Sequence, residues 1–595
     1  MTDVVPQEPT AAKKPRRLRW WIGGGLAVVV ILMLAGLYLG YLAMKAKDSI
    51  DSARGHVTTA QRAFLAGETD KASTSAAAAV DAARSAKDDA HNPVWSVAAA
   101  VPWLGDPLKS VQEMTESVDA LATDVLAPTM QLADVISPDN LRTEDSAINT
   151  AALAQVQPEL ARIADRAEAV LADVEGTDGT WLGTVSDART QLLDQLTESA
   201  RFIRGTDTAA RLLPPMLGSN EQRNYFFGFQ TPAESRATGG LLGGYGVVSA
   251  RNGRVNVDDL GANSEIGTPA KATDLGAEYD YNYGINRPYF DVRNSNISAH
   301  FPYAAQIWMS MWEQKSGTPL DGAVAIDPVA LSYLLDASGP ITLADGQKVT
   351  ADNVVELTLS TSYVRFADDN AARKAYLQEI AQMAVAEVST LRGNTSKVLE
   401  ALGRSVHEQR IMIYSADEGE QQLLTQAGLA HEVPETAAPY ANVLVGNLSG
   451  NKIDYYLERS ISYRAGSCEG DQRTSTVEVE LTNAVTDMSL PPYVIGSLGN
   501  PHLKLPNGTN YSAVTLYGTT GATIDGVTVD GQAMMFSTGT ELGHPIATAQ
   551  VKIPAGKTVT VAYQLTEPTS AGPAVVPVQP LVNDAEVRVD VPSCE

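Results

Sequence analysis

Asn224-Tyr-Phe-Phe-Gly-Phe-Gln-Thr-Pro-Ala-Glu234-Ser-Arg236-Ala-Thr-Gly239-Gly240-Leu-Leu-Gly243-Gly244 is the segment on which the reading of the fold turns. Residues 225–230 are short, aromatic and apolar, the composition of a buried strand. One Glu and one Arg follow, then four glycines that let the backbone approach another group closely. Residues 243–251 read as a second strand, and Asn252-Gly253 as a type I′ turn into a third at 254–257. The glycines could cradle a phosphate through backbone N–H groups, or simply permit tight strand packing. Their spacing matches neither a P-loop nor GxGxxG, so a nucleotide site has no support.

Downstream the rhythm continues. Residues 302–313 read as a helix carrying Trp308 and Trp312, 322–326 as a strand, and 328–335 as a helix with Asp327 as N-cap before a proline. Residues 353–359 and 371–391 read as further helices. This alternation predicts an α/β domain over 221–447. From 448 the pattern is all-β: 455–464, 474–482, 514–517, 527–529, 548–553, 558–565 and 586–591 have strand length, with Asp530-Gly531 and Pro554-Ala555-Gly556 as turns. A β-sandwich over 448–595 is expected.

Upstream, residues 45–212 are rich in Ala with Leu, Val and acidic residues, and read as an antiparallel helical bundle. A hairpin break is expected at Gly67-Glu68-Thr69, a second at 102–107, and a kink at Pro128. Before the bundle, Trp20 to Met44 holds no charged residue in 25 positions and follows Lys13, Lys14, Arg16, Arg17 and Arg19. A bilayer core about 30 Å thick needs roughly 20 apolar residues in a helix. The run is longer than a signal-peptide core, and Met44, Lys45 and Lys47 crowd the place where cleavage would fall. A retained single-pass transmembrane helix at 20–44 is expected, with residues 1–19 a basic cytoplasmic tail and the bulk of the chain extracytoplasmic. Gly36 and Gly40 form a GxxxG spacing that could pack two such helices.

The fold class expected is therefore multidomain α+β: transmembrane helix, helical bundle stalk, central α/β domain and C-terminal β-sandwich. Residues 1–47 carry a net +5 against −26 for the whole chain, so the remainder carries −31. So acidic a body repels nucleic acid, and an anionic ligand would need a local Arg cluster or a divalent cation. Cys468 and Cys594 are the two cysteines; outside the cytosol such a pair reads as a disulfide. The seven histidines are scattered, with no HxxxH or CxxC spacing, and no GxSxG elbow occurs.

Three groups could carry chemistry. The first is Glu234 and Arg236. The second is Arg365, Asp369 and Arg373, spaced i, i+4, i+8. On one helix they would share a face able to clamp a diphosphate and a bridging Mg²⁺; alternatively Asp369 caps the following helix and leaves Arg365 in the preceding turn. The third is Asp291-Val-Arg293-Asn294-Ser-Asn296, which alone would be turn chemistry.

The run around Glu234, Arg236 and Gly239-Gly240 resembles an exported family called domain of unknown function four-zero-one-two. So do Asp321-Gly322, Asp327-Pro328, Gly339-Pro340, Asp345-Gly346, Asn353 and Asn451-Lys452-Ile453-Asp454-Tyr455-Tyr456. A more distant similarity is to the LytR-CpsA-Psr phosphotransferases, anchored proteins that move glycopolymers from an isoprenoid diphosphate lipid to the cell wall. The order of Arg236, Arg293 with Asn296, residues 324–327, Gly339-Pro340-Ile341, Arg365, Asp369-Asn-Ala-Ala-Arg373 and Gln378 agrees with theirs. Three departures are Asn294 after Arg293, Pro340 in place of a second glycine, and a longer Asp-to-Arg spacing. The resemblance implies a LytR-CpsA-Psr-like central domain, with Arg236, Arg293, Arg365 and Arg373 as diphosphate ligands. Asp369, Asp291 or Glu234 would take the catalytic carboxylate role, with Asp369 on Mg²⁺. The expected function is an anchored cell-envelope protein that binds, and could transfer, a lipid-diphosphate-linked glycan. The rival is a non-catalytic scaffold binding wall polymer or partner proteins.

Overall fold

The computed structural model describes residues 17–132, 135, 141, 143, 147–177, 179–389 and 395–594. The chain is mixed α and β and gathers into two compact units, one formed by residues 1–137 with 155–207, the other by 138–154 with 208–595. Most of the basic tail expected at 1–19 lies outside the described residues.

The first unit is helical. Its helices include Arg17–Leu65, Thr69–Ala90, Pro93–Ala99, Asp106–Ala120 and Ala127–Gln131. The first two form the expected hairpin, broken at Gly67, whose φ of +74° suits glycine. Ala72, Ala76, Ala79, Ala83, Ala86 and Ala90 are all buried. That alternating spacing of three and four lays one small-residue stripe along a helix face, so the two backbones approach closely. Lys45 clasps Asp89 at 2.8 Å, and Lys87 clasps Asp119 at 2.7 Å. Ahead of Pro128 the helix loosens into π geometry over Leu121–Leu126, the local accommodation of a residue with no N–H. Among the described residues no helix is long and apolar enough to cross a membrane. The apolar run at 20–44 lies inside the helix Arg17–Leu65, but the side chains of residues 20–32 fall outside those described.

In the second unit β1 (Arg223–Arg236), β2 (Gly239–Arg251), β3 (Arg254–Ala262), β4 (Gly322–Ile326) and, after the short pair β5 (Ile341–Thr342) and β6 (Lys348–Val349), β7 (Ile411–Ser415) build the central sheet. Its order is β3-β2-β1-β4-β7, with β1 and β4 parallel and the other neighbours antiparallel. Asn252 and Gly253 both have positive φ, as a type I′ turn requires, and Arg251 pairs with Arg254. Side chains alternate across β1. Phe226 packs under the helix Phe301–Ser316, and at Gly228 an added Cβ would lie 2.7 Å from Trp308. Phe227 and Phe229 point to the opposite face, towards the helices Pro328–Ser338 and Asn370–Ser389. The Asp327 carboxylate accepts from Ala330 N at 2.8 Å and caps the first of these, as expected.

The remaining strands are β8 (Ala441–Asn447), β9 (Leu457–Ala465), β10 (Gln472–Asn483), β11 (Asn510–Gly518), β12 (Thr523–Val529), β13 (Gln532–Ala533), β14 (Ser537–Glu541), β15 (His544–Ile553), β16 (Thr558–Pro568) and β17 (Ala585–Asp590). They form a six-stranded sheet, β13-β12-β16-β10-β9-β17, and a four-stranded sheet, β14-β15-β11-β8. The inward faces of the two sheets share one apolar core, including Val443, Ile461, Val479, Val514 and Tyr563. β8 precedes residue 448 yet pairs with β11, and its buried sequence ANVLVGN is a strand that belongs to this second body of sheets. Cys468 and Cys594 are disulfide-bonded with Cα atoms 5.5 Å apart, closing a 126-residue loop. Beside the bridge, Arg473 pairs with Glu567 at 3.0 Å in full burial.

Candidate functional site

β1 pairs regularly with β2 until Phe229. Its register then shifts twice, between Phe229 and Gln230 and between Thr231 and Ser235. Pro232, which has no N–H to donate, stands in the second irregularity, and such a bulge re-aims the side chains that follow it. Across it the glycines of β2 come close: a Cβ on Gly240 would lie 2.3 Å from the Thr231 carbonyl carbon, and one on Gly243 2.4 Å from Thr231 Oγ1. The glycine run serves tight strand packing, the second of the two readings the sequence left open.

Beyond the bulge, Glu234 and Arg236 share a side of the strand, and the Arg236 Nη2 donates to Glu234 Oε1 at 3.1 Å. The other carboxylate oxygen of Glu234 accepts from Lys452 Nζ. Burial alone would raise the Glu234 pKa, but the charges of Lys452 and Arg236 outweigh it and hold the carboxyl below its ordinary value. Burial works against the Lys452 charge as well, yet Glu234 raises its pKa on balance. Next along, Asp454 accepts from Ser235 N at 2.8 Å, Ser235 Oγ at 2.7 Å, Asn447 Nδ2 at 2.9 Å and Asn510 Nδ2 at 2.7 Å. Lys452 and Asp454 thus hold the end of β1 from a segment more than 200 residues away, between β8 and β9.

Lys452 Nζ also stands over the rings of Tyr363 and Tyr493, at 5.6 and 5.2 Å from their centroids. The two rings stack on each other with centroids 5.6 Å apart. Arg373 lies over the same rings, at 4.8 and 4.2 Å. Arg373 is 4% exposed, and among the described residues the one hydrogen-bond acceptor of its guanidinium is Asn370 Oδ1, at 2.5 Å; no carboxylate there pairs with it. Of the other buried arginines, Arg410 has Asp327 at 2.8 Å, Arg473 has Glu567 and Arg236 has Glu234, whereas Arg459 rests on the Gln579 and Asn583 carbonyl oxygens at 3.0 and 3.3 Å. A buried cation without a counter-ion is costly unless hydrogen-bond acceptors or a ligand compensate its charge, and Arg373 has one such acceptor where Arg459 has three.

Arg373, Lys452, Tyr363 and Tyr493 form part of the wall of a cavity of about 410 Å³. That lies within the range of about 300–1,000 Å³ common for small-molecule sites. The rest of the wall is apolar, including Phe227, Phe229, Leu260, Leu331, Leu377 and Val385. Asn370, Lys374 and Gln378 complete the polar part. Tyr493 is 36% exposed, so this polar patch adjoins the surface.

The arginines expected to converge divide. Arg373 lines the cavity. Arg236 lies one step away, through Glu234 and Lys452, and its Nε donates to the Arg293 carbonyl at 2.9 Å. The Arg293 guanidinium itself forks onto Asp291, at 2.8 and 2.7 Å, near the surface. Arg365 stands apart, on Asp345 at 3.1 Å and Gln347 at 2.8 Å, over Phe366 and Tyr376. The i, i+4, i+8 face does not form, because one helix ends at Arg365 and the next begins at Asn370. The alternative reading, Asp369 as a cap, is the one observed: its Oδ1 accepts from Ala372 N at 2.9 Å. Asp291 likewise accepts from Arg293 N at 3.1 Å and caps a 3₁₀ turn, and Arg293 holds its pKa down. Asn296 Nδ2 is spent inside the sheet on Gln230, Thr238 and Gly240. Among the described residues no three His, Cys, Asp or Glu side chains gather where a metal ion could be held, and Asp369, expected on Mg²⁺, caps a helix.

Lys452 and Tyr493 were not among the residues singled out for chemistry. Lys452 lies in Asn451-Lys452-Ile453-Asp454, and nothing local in that segment signals its pairing with Glu234. No match is found among curated proteins. Residues 220–363, which hold β1 to β6 and Tyr363 but stop short of Arg373 and Lys452, match the family described as "Protein of unknown function (DUF4012)".

Proposed function

We propose that the second unit binds an amphiphile with a long apolar chain and an anionic diphosphate head, the lipid carrier of a cell-envelope glycan. In this reading the chain lies in the cavity against Phe227, Phe229 and Leu377, and the head faces Arg373 and Lys452. The observation that carries it is the pairing of an apolar cavity with a buried arginine that has no carboxylate partner among the described residues. A guanidinium matches phosphate oxygens in fork geometry, and Lys452 adds a point charge. The rings of Tyr363 and Tyr493 lie against both cations.

The similarity in residue order to the LytR-CpsA-Psr phosphotransferases supports the same ligand class and a LytR-CpsA-Psr-like central domain. The protein is read as anchored in the cell membrane by residues 20–44, with both units on the extracytoplasmic side. Binding is the activity this geometry supports best. Glu234 is held between two cations, Asp369 caps a helix and Asp291 is forked by Arg293, so each of the three carboxylates is already engaged. Purification of the full chain from its native membrane, followed by mass spectrometry of bound lipid, tests the proposal. An isoprenoid diphosphate carrying sugar is expected. Recovery of phospholipid alone, in the same amount for wild type and for Arg373→Gln, would refute it.

A further inference from the structure

The outside of the first helix changes character sharply near residue 44. Met33, Leu34, Leu37, Tyr41 and Met44 are exposed, and Tyr38 stacks on Tyr41 with centroids 6.4 Å apart. From Lys45 onward the surface is charged, with Lys45 on Asp89 and Lys47 on Asp51. At this level the helical unit has an end of its own. Trp95 packs on Leu42 and Leu39, and Leu108 joins the same cluster. Residues 100–105 connect the two helices that carry Trp95 and Leu108, so their turn lies at the end of the bundle where the exposed apolar side chains stand.

That turn is itself apolar and exposed. Trp103 is 65% exposed, Leu104 58%, Val97 73% and Trp181 51%. The two indoles stack with centroids 5.4 Å apart, and Trp181 Nε1 donates to the Trp103 carbonyl at 2.6 Å. Trp103 sits at φ +65°, a region that disfavours bulky residues. Next to it, a Cβ on Gly105 would lie 2.2 Å from the Ala99 carbonyl oxygen, so the turn is closed as tightly as the chain allows. This backbone presents Trp103 outward, with Trp181 stacked on it.

We propose that this end of the helical unit is seated in the headgroup region of a lipid bilayer, with Trp103 and Trp181 as interfacial anchors. The proposal rests on the reading of residues 20–44 as a membrane anchor. The bilayer is favoured as the occupant because the helices flanking the turn pack through Trp95 and Leu108 in one cluster with Leu39 and Leu42, within the stretch of the first helix whose apolar side chains are exposed. Tryptophan and tyrosine concentrate at membrane interfaces, where an apolar ring body and a polar edge are both accommodated. Val97, Val101 and Leu104 around the pair are aliphatic, a surface suited to acyl chains. The helical unit is thereby fixed at two places instead of swinging on one helix.

The test uses the full chain in liposomes of phosphatidylethanolamine and phosphatidylglycerol. Leu104→Cys, Leu37→Cys and Glu68→Cys are each labelled with a nitroxide; the native cysteines are bonded to each other and do not compete. Glu68 lies in the turn at the far end of the first two helices. The label at Leu104 is expected to collide several-fold more with oxygen, and several-fold less with a water-soluble nickel chelate, than the label at Glu68. Equal access of nickel to Leu104 and Glu68, with Leu37 in lipid, overturns this proposal and leaves the anchor standing. Nickel access at Leu37 as well overturns the anchor reading on which it rests. A Leu104 label shielded from both reagents places protein there and also overturns it.

Discussion

Lys452 Nζ donates to Glu234 Oε2 across 218 residues of sequence, with both side chains at least nine-tenths buried. The pair ties the segment between β8 and β9 to the bulged end of β1, and it orients Lys452 over Tyr363 and Tyr493 beside Arg373.

Breaking a buried pair from one side leaves a charge with less compensation, at a cost of about 3–5 kcal/mol. Arg236 remains on Glu234, so Lys452→Met is predicted to cost about 3 kcal/mol, at the low end of that range. Glu234→Gln, which leaves both Lys452 and Arg236 without their counter-ion, should cost more, about 5 kcal/mol. The double variant should lose clearly less than the sum, because the Lys452–Glu234 contact is lost in both single variants and counted twice in their sum. Denaturant unfolding of the three variants measures this coupling; strict additivity would show that the contact is not energetically shared.

The cavity wall predicts a separation between chain and head. Ala381 lines the cavity on the helix that also carries Arg373. Ala381→Phe should fill part of the space and weaken binding of a long-chain isoprenoid diphosphate at least several-fold, while a short-chain analogue keeps its affinity. Titration with the two ligands, by calorimetry on detergent-solubilised full chain, reads the difference. Equal loss for both would place the chain elsewhere.

His300 and His431 predict a pH dependence of stability. Burial pushes both down to about 4, from an ordinary 6.5, and the charge of His300 adds to the effect on His431. His300 Nδ1 accepts from Val433 N at 3.2 Å, which needs the neutral ring. In the unfolded chain both rings take up protons near pH 6.5, but in the folded chain only near pH 4. The unfolded state therefore binds more protons in that window, and stability present above pH 6.5 is lost as pH falls towards 4. Two such groups give a slope of at most about 2.7 kcal/mol per pH unit. The variant His300→Gln with His431→Asn should lose less stability than wild type between pH 7 and pH 5. Asparagine tolerates the positive φ at 431. Parallel pH profiles of the denaturation midpoint would contradict this.

Much of the architecture was legible where local chemistry decides it. β4 reads to the residue because Asp327-Pro328 ends the strand and starts the next helix with a cap. Asn252-Gly253 fixes the β2–β3 turn for the same reason. The alanine stripes of the helical unit and most strands of the two-sheet body follow from period alone. Position 365 shows where such reading fails: its spacing to 369 and 373 is helical, but residues 366–369 break the helix and turn Arg365 towards Asp345. The polar patch was only half legible. Arg373 was found, whereas Lys452 reaches it from another body of sheet, and no local pattern in the sequence encodes that contact. β8 was missed because an apolar run of seven residues does not say which sheet it joins.

Arg373 is the residue on which the binding proposal stands or falls. A charge-assisted hydrogen bond contributes about 1.5–3 kcal/mol, or about 10- to 100-fold in affinity. The measurement is the affinity of the full chain for an isoprenoid diphosphate against the isoprenoid alcohol of equal length, in wild type and in Arg373→Gln. Wild type should prefer the diphosphate, and Arg373→Gln should lose at least about tenfold for the diphosphate with the alcohol unchanged. A variant that folds normally and keeps the wild-type ratio of the two affinities would contradict it.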